Sequence, residues 1–151
     1  MFIRDITHSD CNLLFQWAND VTVRNNAVNT SPILWETHEK WFNQRINSAD
    51  VKFYILEING TPAGQARYEL NNNFWVIDYS IDINFRGLGY GKFLIKNTLE
   101  LLKSFPIMAL VKTDNLASIK IFEALNFKQT EVKKIENINF NIYIYESNKV
   151  E

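Results

Sequence analysis

Hydrophobic and polar residues alternate through the middle of the chain. Within Phe74–Ile83, Ile77 and Tyr79 alternate with Asp78 and Ser80. This period of two is typical of a β-strand with one buried and one polar face. The pattern therefore predicts a long strand in which the polar side chains share one face of a sheet.

Other short segments rich in β-branched and aromatic residues predict further strands. Asn59-Gly60 separates two of them, and Asn72-Asn73 separates another two. Asn and Gly tolerate positive φ, so both pairs predict two-residue hairpin turns. The predicted strands are Phe2–Ile6, Lys52–Ile58, Ala63–Leu70, Phe74–Ile83, Ile107–Val111, Lys128–Ile135 and Phe140–Glu146.

Helical spacing of apolar residues predicts helices between these strands. The predicted helices are Asp10–Asn19, Trp35–Ile46, residues 90–103 and Asn115–Leu125. In the second of them, the buried positions are expected at Trp35, Trp41, Phe42 and Ile46, whereas residues 20–32 are expected to form a polar loop. The order of elements predicts a mixed α/β fold, with a largely antiparallel sheet flanked by helices. A length of 151 residues fits a single domain, 1–151.

Composition and charge exclude several classes of function. Sixteen Lys and Arg against seventeen Asp and Glu give a net charge of −1, which argues against binding nucleic acid by bulk electrostatics. No apolar run approaches the roughly 20 residues of a membrane span. The first residues lack the apolar stretch of a signal peptide, so we expect a cytoplasmic protein. One cysteine and two histidines exclude an internal disulfide and a Cys-rich zinc site, and no metal is expected.

Three of the five glycines fall within the segment Arg86–Lys92, between the alternating strand and a predicted helix. Glycines allow the backbone to curl and expose consecutive N–H groups, and a helix N-terminus adds partial positive charge. Together they predict an anion site suited to phosphate or pyrophosphate. A tight turn without a ligand is the alternative. The spacing excludes a Walker A loop, which needs glycine at Arg86 and Ser or Thr at Phe93.

Two motifs with the expected separation carry a resemblance to a known family. The first is Arg-x-x-Gly-x-Gly at residues 86–91, after the fourth strand, and the second runs from Asn115 through Ser118 to Phe122. With the order of elements, they resemble the GCN5-related N-acetyltransferase (GNAT) superfamily, whose members have an acyl-CoA N-acyltransferase fold. The resemblance implies direct attack of an amine on acetyl-CoA in a ternary complex.

The resemblance also implies how acetyl-CoA is held. In the family, the fourth and fifth strands splay apart and the pantetheine arm inserts between them. Backbone groups at Ile81 and Ile83 would bind the arm, with Asn115 on its other side, and the glycine segment would bind the pyrophosphate. The residues assigned to the cofactor are Ile81, Ile83, Arg86, Gly87, Leu88, Gly89, Tyr90, Gly91, Lys92, Asn115, Ser118 and Phe122.

Phe122 departs from the family pattern, in which a tyrosine usually protonates the departing thiolate. Phenylalanine carries no exchangeable proton at this position. Because thiol pKa values lie at about 8–9, a thiolate is a good leaving group near neutral pH, and the departure does not exclude activity. Tyr79, Ser118 and a water molecule are the alternatives for the proton donor.

Three residues are candidates for the general base. Asp78 lies on the predicted central strand, where burial would raise its pKa, but the Asn72-Asn73 turn places Arg67 opposite it, and an ion pair would lower the pKa. Glu69 lies on the same polar face. His38 on the second long helix is the third candidate, since a neutral imidazole suits a base at physiological pH. A surface or capping histidine is the alternative.

The first third of the chain carries a narrower resemblance. Residues 17–24, 35–42 and 64–67 are similar to a bacterial GNAT subgroup that acetylates the 4-amino group of nucleotide-linked deoxy-amino sugars in pseudaminic-acid-type pathways. For a UDP-linked sugar, guanidinium groups would bind the diphosphate and an aromatic ring would stack. The residues assigned to this acceptor are Arg24, Trp35, Gln65 and Arg67.

Two other functions stay open at this point. Residues 17–23 are also similar to protein N-terminal acetyltransferases that act on ribosomal proteins. A CoA-binding module without catalysis is motivated by Phe122. In addition, residues 142–145 of the last predicted strand are expected to form a sheet edge that can pair with a second subunit as a homodimer.

Overall fold

The computed structural model describes residues 1–102 and 104–146, so Lys103, at the end of a predicted helix, lies outside the described part. The strands are β1 Phe2–Asp5, β2 Val51–Ile58, β3 Thr61–Asn71, β4 Phe74–Ile81, β5 Ile107–Lys112, β6 Lys128–Ile135 and β7 Ile138–Tyr145. The helices are α1 Cys11–Ala18, α2 Val21–Asn26, α3 Trp35–Arg45, α4 Tyr90–Leu99 and α5 Leu116–Ala124. Short 3-10 turns occur at His8–Asp10 and Ile83–Phe85.

The strands form one sheet in the order β1-β2-β3-β4-β5-β7-β6. Neighbours pair in antiparallel fashion except β4 and β5, which are parallel. The predicted hairpin turns are confirmed, since Asn59, Gly60, Asn72 and Asn73 all have positive φ. The mixed α/β fold with a largely antiparallel sheet is therefore confirmed.

Helices cover both faces of this sheet. On one face, α4 and α5 bury Leu94, Ile95 and Phe122 against Ala66 and Tyr68 of β3. On the other face, side chains of α1 and α3 form a second cluster with β2. This second cluster consists of Leu14, Trp17, Phe42, Phe53 and Ile55. The sheet is thus the middle layer of three, and each face of β3 and β4 lies in a different environment.

The predicted register of β3 and β4 is confirmed. Arg67 pairs with Asp78, and Gln65 pairs with Ser80. Because side chains alternate along a strand, these four residues share the face that α1 and α3 cover. The polar side chains are thereby separated from the apolar ones on the α4–α5 face.

The segment predicted as a polar loop, residues 20–32, begins with a helix instead. Asp20 caps α2, since its carboxylate accepts a hydrogen bond from the N–H of Val23 at 3.1 Å. A helix of six residues is too short for apolar periodicity to indicate it. Strand β4 is also shorter than predicted, because Ile83 begins a 3-10 turn whose cap is the side chain of Asp82.

The prediction that residues 142–145 form a sheet edge is wrong. Strand β7 lies between β5 and β6, and Ile142 pairs with Leu110 on one side and Glu131 on the other. At this end of the sheet the edge strand is β6, the first strand of the last hairpin. The chain returns from β6 into the sheet interior, and the sequence pattern of a hairpin does not specify which of its strands is the outer one.

Candidate functional site

Strands β4 and β5 separate soon after they meet. They pair only at Trp75–Ile107 and Val76–Met108, whereas β4 continues to Ile81. A cavity of about 730 Å³ occupies the gap and extends beneath the adjoining helices. The predicted splay of the fourth and fifth strands is therefore present.

The glycine segment forms a bend at the end of this gap. Gly87 and Gly89 have φ of 76° and 84°, a left-handed conformation that favours glycine. Within the described ranges, none of the backbone N–H groups of residues 87–92 donates a hydrogen bond, and the N–H of Phe93 is the first to do so, to the Gly89 carbonyl at 3.2 Å. The bend therefore presents consecutive free amides at the N-terminus of α4.

Gly91 serves a different purpose from the other two glycines of the bend. A Cβ atom there would lie 3.1 Å from Ile121 Cδ1 and 3.3 Å from the Tyr79 ring. The absence of a side chain allows α4 to approach both β4 and α5. Gly91 thus holds the elements of the site together rather than shaping the bend.

The Arg86 guanidinium is bound by other parts of the chain. Its Nε donates to the Ile81 carbonyl at 2.9 Å, and its Nη2 lies 2.9 Å from Asp20 Oδ2. Burial opposes ionisation of Asp20, but hydrogen bonds from Arg86 and from the backbone outweigh it and lower its pKa. Arg86 therefore ties the bend to α2, and Lys92, an exposed cavity-lining residue, is the flanking cation that remains.

Helix α5 lines the opposite wall of the gap. Asn115 caps it through Oδ1, which accepts from the N–H of Ser118 at 3.3 Å. The hydroxyl groups of Ser118 and Tyr79 are 2.6 Å apart. The buried ring of Phe122 stands edge-on to the Tyr79 ring, with centroids 5.8 Å apart. Burial raises the pKa of Tyr79, partly offset by the hydrogen bond with Ser118.

The polar face of β3 and β4 lines a second part of the same cavity. Gln65 is 5% exposed, and its Nε2 donates to Asp78 Oδ2 at 3.0 Å and Ser80 Oγ at 3.2 Å. A carboxylate only accepts hydrogen bonds, which fixes the orientation of the amide. Oε1 of Gln65 is then buried without a partner, the only such side-chain atom in residues 1–102 and 104–146.

Two of the predicted bases lie in a network of charges. The expectation that Asp78 is buried is wrong, because its side chain is 56% exposed and faces Arg67 at 3.5 Å. The strand position is central, but no helix covers this carboxylate. Glu69 binds Arg45 at 2.8 Å and Arg67 at 3.0 Å, one arginine on each carboxylate oxygen. Oδ1 of Asp78 accepts no hydrogen bond from any residue described.

His38, the third predicted base, is 3% exposed, so it is not a surface histidine. Its Nε2 donates to the Cys11 carbonyl at 2.9 Å, and its ring is surrounded by aromatic rings. These belong to Phe15, Trp35, Trp41 and Phe42. Burial lowers the pKa of His38, partly offset by the bond to Cys11, so the ring is neutral at physiological pH. His38 also lines the cavity.

The predicted acceptor residues are only partly brought together. Gln65, Arg67 and Arg24 line the cavity, whereas Trp35 packs edge-on against Phe15 at 5.2 Å and does not line it. Arg24 donates to the Ala18 carbonyl at 2.7 Å and the Asn29 carbonyl at 2.9 Å, and burial lowers its pKa. Much of this guanidinium therefore holds the loop after α2.

Trp41 is a cavity-lining aromatic residue for which the sequence predicted a buried position in the core. The Arg67 guanidinium stacks on its ring at 4.7 Å, and that of Arg45 lies 5.0 Å from it on the same ring. Trp41 is three residues after His38 and so lies on the same side of α3. That spacing is the signal that would have indicated it.

A sequence model of the acetyltransferase (GNAT) family matches residues 14–127, more than half of the chain. The chain belongs to the acetyltransferase (GNAT) family. Membership confirms the predicted fold and the predicted class of enzyme, and GNAT enzymes use acetyl-CoA, the donor that the motifs predicted. The matched residues include the bend, the two strands that flank the gap, β4 and β5, and helix α5.

Similarity extends to individual proteins. An uncharacterized protein of Methanocaldococcus jannaschii is 30% identical over 155 aligned positions, covering 98% of this chain, which spans 31% of that relative. The crystal structure of a domain from the same organism has a TM-score of 0.80 at 27% identity, covering 95% and 96% of the two chains. Spermidine N-acetyltransferase from Vibrio cholerae, in complex with CoA and spermine, has a TM-score of 0.85 at 14% identity, covering 95% and 94%.

Membrane-spanning helices and metal clusters are both absent from residues 1–102 and 104–146. Apart from Lys103 and the residues after 146, the helices include none with the length and apolarity needed to cross a membrane. Over the same residues, no group of three or more His, Cys, Asp or Glu side chains is placed to hold a metal ion.

Proposed function

We propose that this chain transfers the acetyl group of acetyl-CoA to the 4-amino group of a UDP-linked deoxy-amino sugar. The observation that carries the proposal is the gap between β4 and β5, which ends at six consecutive backbone N–H groups without partners among residues 1–102 and 104–146. A peptide-like arm with a diphosphate at its end is complementary to such a gap. Acetyl-CoA has this chemistry.

The donor half of the site uses main-chain groups. The amides of residues 87–92 bind the diphosphate, aided by the partial positive charge at the start of α4. Lys92 adds a charge beside them. Nδ2 of Asn115, whose Oδ1 is used for the helix cap, binds the pantetheine arm from the α5 side.

The acceptor half uses the polar face of β3 and β4. The unpartnered Oε1 of Gln65 accepts a hydrogen bond from the amine or an adjacent hydroxyl of the sugar. A buried acceptor without a donor costs about 1–3 kcal/mol, which a substrate N–H would recover. Arg24 and Arg67 both line the cavity and supply positive charge for the UDP diphosphate.

The base is to be sought at Oδ1 of Asp78 and Nδ1 of His38, two cavity-wall acceptors that no described residue occupies. Glu69 is a poorer candidate, since two arginines hold it. Asp78→Asn and His38→Gln separate the alternatives through their pH–rate profiles. Loss of the base is expected to lower kcat by about 10²-fold or more. We expect only one of the two variants to lose the ascending limb of the pH–rate profile.

The acceptor is tested by measuring thiol release from acetyl-CoA with two sets of amines. One set contains a UDP-4-amino-deoxy sugar and the same sugar already acetylated, and the other contains peptides with free N-termini. We expect release with the free amino sugar alone. Release with peptides would instead assign a protein N-terminal acetyltransferase, and CoA binding without turnover would assign a non-catalytic module.

A further inference from the structure

The hydroxyl groups of Tyr79 and Ser118 lie beside the ring of Phe122, which carries no hydroxyl. Phe122 of α5 occupies the position where the family pattern has a proton-donating tyrosine. The Tyr79 ring, which enters from β4, stands edge-on to the Phe122 ring. Its hydroxyl lies 2.6 Å from Ser118 Oγ, one turn before Phe122 on α5, and all three residues line the cavity.

We infer that Tyr79, held by Ser118, protonates the thiolate that leaves during acetyl transfer. This inference rests on the proposed acetyltransferase function. A residue of β4 thereby supplies the proton that Phe122 cannot supply, because phenylalanine has no exchangeable proton. Ser118 is a positioning residue, because its hydroxyl orients that of Tyr79.

The chemistry of the two hydroxyls favours Tyr79 as the donor. A phenol has an ordinary pKa of about 10, and although burial raises the pKa of Tyr79, this group is still a far stronger acid than an aliphatic alcohol such as Ser118. When the Ser118 hydroxyl donates to the Tyr79 oxygen, the phenolic proton is free for the cavity. The charged group beside Tyr79 is Asp78 on its own strand, and Ser118 is the polar group facing it from α5.

The proton balance of the step is closed. The amine nitrogen forms a bond to the thioester carbonyl carbon, the carbon–sulfur bond breaks, and sulfur takes the electron pair. The phenolic proton of Tyr79 moves to sulfur while Ser118 donates a hydrogen bond to the phenolate. The nitrogen loses one proton through the base to water, and water returns one proton to Tyr79, which leaves an amide and a thiol.

The kinetic test moves the hydroxyl from residue 79 to residue 122 by substitution. Tyr79→Phe is expected to lower kcat by about 10²-fold, the lower end for a general acid, with little change in KM for acetyl-CoA. Tyr79→Phe combined with Phe122→Tyr is expected to recover much of the loss, since the hydroxyl returns to the other of two adjoining rings. Tyr145→Phe, which removes a hydroxyl from a ring packed on Phe127, is the matched control.

A second measurement needs no acceptor. A phenol that donates to sulfur stabilises the thiolate, so CoA bound to the wild-type chain should ionise at lower pH than CoA bound to Tyr79→Phe, as followed by thiolate absorbance. Equal ionisation in both, or unchanged kcat in Tyr79→Phe, would overturn the inference. So would a loss that Phe122→Tyr does not rescue. Absence of CoA binding to the wild-type chain would remove the proposed function and this inference together.

Discussion

The two halves of the cavity present different chemical groups to a ligand, main-chain amides in one and side chains in the other. Around the bend, the groups available to a ligand are backbone amides held in place by Gly87 and Gly89. On the β3–β4 face, they are side chains that mostly bind one another, such as Arg67 with Glu69 and Asp78. In the proposed function, the amide half binds the diphosphate at a fixed position, whereas the side-chain half presents a pattern of charges in which single substitutions can change the choice of acceptor.

The difference also separates affinity from specificity. Main-chain amides cannot be removed by a side-chain substitution, so only a change of backbone conformation or a blocking group disrupts them. The unpartnered Oε1 of Gln65 is a single atom whose loss leaves the bend intact. Substitutions in the two halves should therefore affect different ligands.

The largest effect is expected from Gly89→Asp. Its φ of 84° strains a side chain, and a carboxylate among free amides repels a diphosphate. We expect CoA binding to be lost in calorimetry. Gly60→Asp is a matched control, because Gly60 has φ of 80° and equally open space but lies on the β2–β3 turn. Both variants should lose about 1–2 kcal/mol of stability, and unchanged CoA affinity in Gly89→Asp would refute the amide site.

Gln65→Leu should act on the acceptor alone. Loss of a buried hydrogen bond of about 1–3 kcal/mol lowers kcat/KM for the amine by roughly tenfold to a hundredfold and leaves the Kd of CoA unchanged. Leucine also removes the Nε2 hydrogen bonds to Asp78 and to the buried Ser80, so a lower Tm is expected beside the kinetic effect. Gln129→Leu, on the edge strand, serves as the control. Equal acceptor kinetics in the two variants would show that Oε1 takes no substrate.

His38 should make stability depend on pH. Its pKa lies below the ordinary value of 6.5 because of burial, so the unfolded chain takes up the proton first as pH falls. Stability is then fully present above pH 6.5 and declines below it until the folded pKa is passed. In urea unfolding between pH 8 and 5, His38→Gln should reduce this decline. An identical decline in both proteins would place the titrating group elsewhere.

The smallest effect is expected from Phe122→Tyr alone. The Phe122 ring lines the cavity and packs on Phe127 at 4.9 Å, and in this variant Tyr79 keeps its hydroxyl for the proton transfer. We expect kcat to be unchanged or slightly raised, as measured by thiol release. A large fall in kcat would show that this wall must be apolar.

The sequence predicted best where the backbone alone determines the structure. Asn59-Gly60 and Asn72-Asn73 specify turns, and the second turn sets the register that pairs Arg67 with Asp78. Gly87 and Gly89 specify the bend. These features depend on local φ values and on alternation, both of which can be read along the chain.

Burial of single polar residues could not be predicted in the same way. His38 lies in a charged stretch of α3, yet it is buried because Phe15 of α1 packs against it from another helix. Asp78 lies on a central strand, yet it is exposed because no helix covers that end of the face. Whether a neighbouring element covers a position depends on tertiary packing, which the period of hydrophobic residues does not encode.

The outer strand of the sheet has a consequence for how copies of this chain meet. Strand β6 is solvent-exposed over almost its whole length and carries Lys128, Lys133 and Lys134. Like-charged rows repel when two such strands approach, which discourages open-ended stacking of sheets in a crowded solution. The apolar strand β7 is kept from neighbouring molecules by this basic border.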